Sequence, residues 1–203
     1  MGPPQRTSLK TLADQMAGVY GLDLGATACN VTTETGEILR NELGGHSSAS
    51  LVAFAGKERL IGEAAIGPAQ RSPANTATNV HLLLGQSFAA CADQPLAEFD
   101  CCRRTEASDG GLLLEVEFQG STRSFTPTAV AAMLIGKLKA IAADSGKLSS
   151  DACAAIAVPS WMSPEARQAL RDACTIALAS PPPVPLVDSG EALCRWGTCA
   201  YSP

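Results

Sequence analysis

The chain has 203 residues, with 15 Lys and Arg against 20 Asp and Glu, for a formal charge of −5. An apolar fraction of 46% beside 17% charged residues excludes a disordered chain, and no run of about 18 apolar residues is present to span a membrane as a helix. The acidic balance carries no Lys/Arg cluster and aromatics are only 4%, which speaks against nucleic acid as a partner. Length divided by about 150 residues per domain gives one ordinary domain or two small lobes. The eight cysteines include no Cys-x-x-Cys pair, and His46 and His81 are the only imidazoles, so no zinc spacing can be assembled. Reduced thiols in a cytoplasmic protein are the expectation.

Residues 1–17 read as a flexible arm without the apolar core of a secretory signal. Val19 to Leu24 is a short apolar strand broken by Gly25, and Ala28 to Thr33 is a second. With Glu37 to Arg40 after the turn at Gly36, these form an antiparallel meander. Leu51 to Phe54 and Arg59 to Ile61 are extended segments about a turn at Gly56. Residues 62–86 carry helical signals, with a break at Pro68 and a helix N-capped by Asn75 that bears Val80, Leu83 and Leu84 and stops at Gly85. Residues 89–111 are the least legible part. A hairpin follows, Leu112 to Phe118 and Thr122 to Phe125.

The clearest helix starts at Thr126 as cap and Pro127 in the first turn, places Val130, Leu134, Leu138 and Ile141 on one stripe, and ends at Gly146. Cys153 to Val158 reads as a small-residue strand buried on both faces. Ser163-Pro164-Glu165 repeats the capping signature for a helix that the prolines at 181–183 terminate. The class is mixed α/β.

The stretch with chemical content is Gly21-Leu22-Asp23-Leu24-Gly25-Ala26-Thr27. A strand carboxylate followed by a Gly-led turn is a phosphate-site design: Gly25 admits close backbone approach, and successive N–H groups from Gly25 to Thr27 form an anion nest. Asp23 would face magnesium through water, because that ion gives up its hydration shell reluctantly. The same residues are also compatible with a plain tight hairpin.

The strand–turn–strand resembles the first phosphate loop of the actin-like ATPases. Phe54 to Ala65, Asn75-Thr76 through Gly85 to Phe88, and Val158-Pro159-Ser160 through Arg167, Asp172 and Ala177 add matches in the same order. Together they resemble the 70-kDa heat-shock chaperone family over about residues 18–178. Phe125-Thr126 to Lys139 and Val158-Pro159-Ser160 look closer to its 110-kDa branch. The resemblance implies an actin-like, ribonuclease H-like ATPase lobe: a mixed sheet with flanking helices and an inserted α+β subdomain. Residues 18–49 with 124–203 would be the nucleotide-facing part, and 50–123 the outer insertion.

It further implies ATP or ADP with Mg²⁺ as ligands, with Asp23, Gly25, Ala26, Thr27 and Ala28 around phosphates and metal. Asp188 would orient water. His81 stands where the family has its catalytic lysine, so hydrolysis is expected to be impaired. Only the first lobe is expected in a chain of this length. The competing expectation is a non-hydrolysing module that acts as co-chaperone or exchange factor on a full-length heat-shock chaperone. A sugar or acetate kinase relative sharing the phosphate loop is disfavoured by the matches at 75–88 and 158–177.

Overall fold

The computed structural model describes residues 18–92, 102–148, 152–178 and 184–189. The expected arm at 1–17, the prolines at 181–183 and residues 190–203 lie outside the described residues. Eleven strands are described: β1 (Val19–Leu24), β2 (Ala28–Thr32), β3 (Ser48–Ala49), β4 (Val52–Ala55), β5 (Glu58–Ile61), β6 (Thr76–Ala77), β7 (Arg103–Glu106), β8 (Leu112–Phe118), β9 (Ser121–Phe125), β10 (Cys153–Val158) and β11 (Leu186–Asp188). Five helices accompany them: α1 (Glu63–Arg71), α2 (Val80–Leu83), α3 (Phe88–Ala92), α4 (Pro127–Asp144) and α5 (Pro164–Leu178).

The largest sheet has the order β11-β10-β1-β2-β3. β1 runs parallel to β10 and antiparallel to β2, and β10 runs parallel to β11. Its core face is supplied by alternate residues, Tyr20, Leu22, Cys29, Val31, Ile156 and Val158, against which α4 and α5 pack. The sheet is therefore mixed, with the helix-covered face built on the period of two that strand geometry imposes.

α4 is legible residue by residue. The Thr126 hydroxyl accepts the Ala129 N–H at 3.1 Å, Pro127 occupies the first turn, and Gly146 just past the end takes φ 63°. Val130, Ile135 and Leu138 are at most 1% exposed, and burying each side chain stabilises the fold by about 1.5–3 kcal/mol. α5 is capped likewise, by the Ser163 hydroxyl accepting from Ala166 N at 3.1 Å.

Two three-stranded antiparallel sheets, β5-β4-β6 and β7-β8-β9, occupy the middle of the chain. Phe54 joins them, stacked on Phe125 at 4.8 Å and edge-to-face with Phe118 at 5.4 Å.

Four expectations are corrected. β10 is buried on one face only among the described residues, because its alternate positions Cys153, Ala155 and Ala157 stay half-exposed. Pro68 does not break the helix but lies inside α1, where its carbonyl accepts the closing N–H of Ser72. Asn75 caps no helix: it ends a single 3-10 turn, and its side-chain oxygen accepts the Glu117 N–H at 2.9 Å. α2 instead starts after Asn79, whose φ of 51° sets it apart from the helix. Finally, Glu37 to Arg40 form no strand beyond an isolated bridge, Thr32 to Ile38.

Candidate functional site

Asp23 sits near the end of β1, opposite Ala157 of β10 and Asn30 of β2. Its side chain projects from the face that the helices leave open, and it is exposed. A cleft of about 620 Å³ runs over that face, lined by Gly21, Asp23, Asn30, Thr32, Ala157 and Ser189 among others. Parallel strands that end together at one edge leave ligand crevices outside their carboxyl ends, and β1, β10 and β11 do so here.

The loop from Gly25 to Ala28 closes on itself. The Gly25 N–H donates to the Ala28 carbonyl at 3.1 Å. A Cβ at position 25 would lie 2.5 Å from that same oxygen, so the turn admits only glycine, through close approach rather than through φ. Gly25 N–H is thereby consumed and drops out of the expected anion nest. Ala26 and Thr27 are exposed, and their N–H groups make no hydrogen bond within the described residues. Two outward N–H donors and the Thr27 hydroxyl beside one exposed carboxylate can hold a phosphate together with a hydrated magnesium ion. Among the described residues no group of three or more metal-ligating side chains is found.

Ser50, which sequence reasoning does not single out, fixes this loop. It is 3% exposed. Its backbone N–H donates to Thr27 O at 3.0 Å and its hydroxyl to Gly25 O at 2.7 Å. Cys29 Sγ lies 3.0 Å from the same hydroxyl. Because the one hydroxyl proton goes to Gly25, the thiol is the donor to Ser50. Burial raises the Cys29 thiol above its ordinary pKa, against the lowering effect of that contact. It therefore acts as a neutral packing group under the loop. Only a Ser-rich stretch marks this position in the sequence.

His81 is half-buried on α2 and within the electrostatic reach of Asp23. Burial pushes its pKa below 6.5, and the Asp23 carboxylate opposes that shift. The structure thus brings His81 and Asp23, far apart in sequence, to one neighbourhood with a neutral imidazole favoured. Asp188 pairs with Val158 across the β10–β11 ladder. Its carboxylate is engaged by Arg167, with Nη2 to Oδ2 at 3.7 Å, while Val187 and Ser189 line the cleft. Arg167 also donates to the carbonyls of Pro159 and Met162, each at 3.1 Å. Ser189 Oγ donates to Val158 O at 2.7 Å and anchors the end of β11.

The family model described as Hsp70 protein matches residues 19–179. An SSB-type heat shock protein of Pyricularia oryzae is 39% identical over 166 residues, covering 78% of this chain and 26% of its own length. An SSB-type ribosome-associated molecular chaperone of Eremothecium gossypii is 38% identical over 167 residues, covering 79% and 26% respectively. A heat shock 70 kDa protein of Neurospora crassa is 34% identical over 170 residues, covering 80% and 25%. The chain spans about a quarter of the length of these relatives. They are SSB-type and 70-kDa chaperones, which corrects the expectation of a 110-kDa-branch protein. Residues 125–139 and 158–160, on which that expectation rests, are too short and too helix- and turn-determined to separate branches. By the extent of the family match and the identity of its relatives, this chain belongs to the Hsp70 family.

Proposed function

We propose that this chain is a nucleotide-facing lobe whose inherited role is ATP binding in ATP-dependent protein folding in the cytoplasm, a reading supported by relatives named as ribosome-associated chaperones. The observation that carries the reading is the exposed pair of N–H donors at Ala26 and Thr27 beside the exposed Asp23 carboxylate. Gly25, Ala26, Thr27 and Ala28 shape the phosphate contact, and Asp23 holds Mg²⁺ through water. Bound magnesium would neutralise phosphate charge. Asp188, held in place by Arg167, orients water. Residues 18–49 with 124–203 make the nucleotide-facing subdomain, and 50–123 the outer one.

His81 occupies the place of the family's lysine. A neutral imidazole there supplies no fixed cation to a transferring phosphoryl group, and losing one such stabilising group costs about 10²–10³ in rate. Hydrolysis is impaired on this reading. The same residue favours the second reading, a module without turnover that acts as co-chaperone or nucleotide-exchange factor on a full-length heat-shock chaperone. Calorimetric titration of the folded chain with Mg-ATP and Mg-ADP separates the two. Binding that Asp23→Asn weakens by about tenfold or more, as expected for a charge-assisted contact, supports the nucleotide lobe. A folded chain that binds neither nucleotide refutes it and leaves the partner module.

A further inference from the structure

A second concavity shares no residue with the Asp23 cleft. It is a trough of about 490 Å³ along α4, floored by Ala129, Ala132 and Gly136 and walled by Phe125, Met133 and Ile176. Ile176 is 63% exposed although it is a large aliphatic side chain on α5. The charged residues lining the trough are Arg59 and Lys137, and no carboxylate is among the lining. Lys137 is already committed, its Nζ 2.6 Å from Glu42 Oε1, so that it contributes chiefly its aliphatic stem. Arg59, exposed on β5, makes no hydrogen bond or ion pair within the described residues. One lip of an apolar trough therefore carries an uncommitted guanidinium, in a chain whose net charge is −5.

We propose that this trough binds a single-chain carboxylate amphiphile, with its carboxylate on Arg59 and its alkyl chain over Ala129, Ala132 and Gly136. A planar guanidinium matches a carboxylate in a two-point fork. The volume falls in the range of about 300–1,000 Å³ typical of small-ligand sites. The floor is made of small side chains, and Gly136 has open space around the position a Cβ would take, so a slender chain can lie against the helix backbone. The net charge of −5 disfavours carboxylates over the surface at large, which leaves the Arg59 guanidinium at the lip of this trough as the attraction that places the head group.

The test titrates laurate, below its micelle concentration, into the delipidated full chain by calorimetry. Binding should weaken about three- to fourfold for each methylene removed in the decanoate and octanoate series. Arg59→Gln should weaken it by about tenfold or more, since hydrogen bonds to charged groups carry that much. Gly136→Leu should abolish it by filling the trough, and as a better helix former it preserves the fold, which circular dichroism checks. Dodecanol, with the same chain and no charge, should bind more weakly than laurate. The proposal is overturned if laurate does not bind, if dodecanol binds equally well, or if both variants bind as wild type. It is equally overturned if sedimentation shows the trough closed by a second copy of the chain and laurate without effect on that association.

Discussion

Ser50→Ala is the sharpest test of the structure beneath the phosphate loop. The side chain is 3% exposed and its hydroxyl makes two contacts, donating to Gly25 O at 2.7 Å and accepting from the Cys29 thiol at 3.0 Å. Removing it forfeits one hydrogen bond, about 1 kcal/mol net, and strands the Gly25 carbonyl, for a further cost of about 1–3 kcal/mol if water cannot reach it. The thiol is a weak donor and adds little. Because Ser50 N–H still holds Thr27 O, the loop is loosened at one end only. A total near 2 kcal/mol follows, a fall of about 4–8 °C in Tm for a chain of this size. Urea unfolding followed by circular dichroism measures it, with Ser47→Ala as control, since Ser47 is exposed and contributes a carbonyl rather than its hydroxyl. A loss under about 0.5 kcal/mol, the level of a surface substitution, or equal losses in the two variants, would refute the clamp.

Asn41 is 8% exposed and organises the loop before β3: its Oδ1 accepts Leu43 N and Gly45 N at 3.1 and 2.8 Å, and its Nδ2 donates to Ser47 O at 2.7 Å. Asn41→Ala should cost about 2–3 kcal/mol in urea unfolding, and Asn41→Asp, which keeps the accepting oxygen, should cost less. Burial depresses the His81 pKa below 6.5, so the unfolded chain binds the proton more readily and stability falls as pH drops from about 6.5 through the folded value. Unfolding midpoints at two pH values across that window should therefore differ more in wild type than in His81→Gln, and equal differences would count against a desolvated imidazole. The Cys174 thiol is 1% exposed and raised to about 11, leaving about one thiolate in a thousand at pH 8. Iodoacetamide should spare it in the folded chain and label it in urea, as read by peptide mass spectrometry. Arg167→Ala should destabilise by about 2–3 kcal/mol through its two carbonyl contacts, whereas Asp188→Asn should cost under about 1 kcal/mol, since the ion pair is long and partly exposed.

Whatever local chemistry decides in this fold is legible in the sequence. Thr126-Pro127 and Ser163-Pro164 announce the starts of α4 and α5, and the capping hydroxyls make the bonds those residue types imply. The β8–β9 hairpin is legible because Gln119 and Gly120, both at positive φ, form its turn. The errors arise where long-range contacts override local preference. Asn75 looks like a cap, yet its side chain is taken by Glu117, 42 positions away. Pro68 survives inside α1 because a helix of nine residues loses only one internal N–H there and its own carbonyl still closes the last turn. The apolar, alanine-rich run of β10 suggests two covered faces, but small side chains at 155 and 157 give period two no contrast to display.

The candidate site divides the same way. Asp23 and the glycine at 25 can be read directly, since a carboxylate and a close turn declare themselves by residue type. The consumption of the Gly25 N–H cannot, because it depends on the carbonyl of Ala28 folding back to 3.1 Å. Ser50 is invisible for a related reason: its hydroxyl acts across 25 positions of sequence, and one serine in a loop rich in serine carries no mark of that distance. Asp188 is expected to orient water, and what the structure shows of it is a carboxylate 3.7 Å from the Arg167 guanidinium. Val187 and Ser189 take the cleft side, which turns the residue between them toward Arg167. Arg167 is anchored on two carbonyls just past the end of β10 and reaches Asp188, the neighbour of the cleft-lining Ser189, so a continuous chain of contacts runs from Pro159 to the cleft. Any phosphate bound at Ala26 and Thr27, just past β1, therefore sits across β10 from the Arg167–Asp188 pair on the β11 side, a contact that residue type alone does not announce.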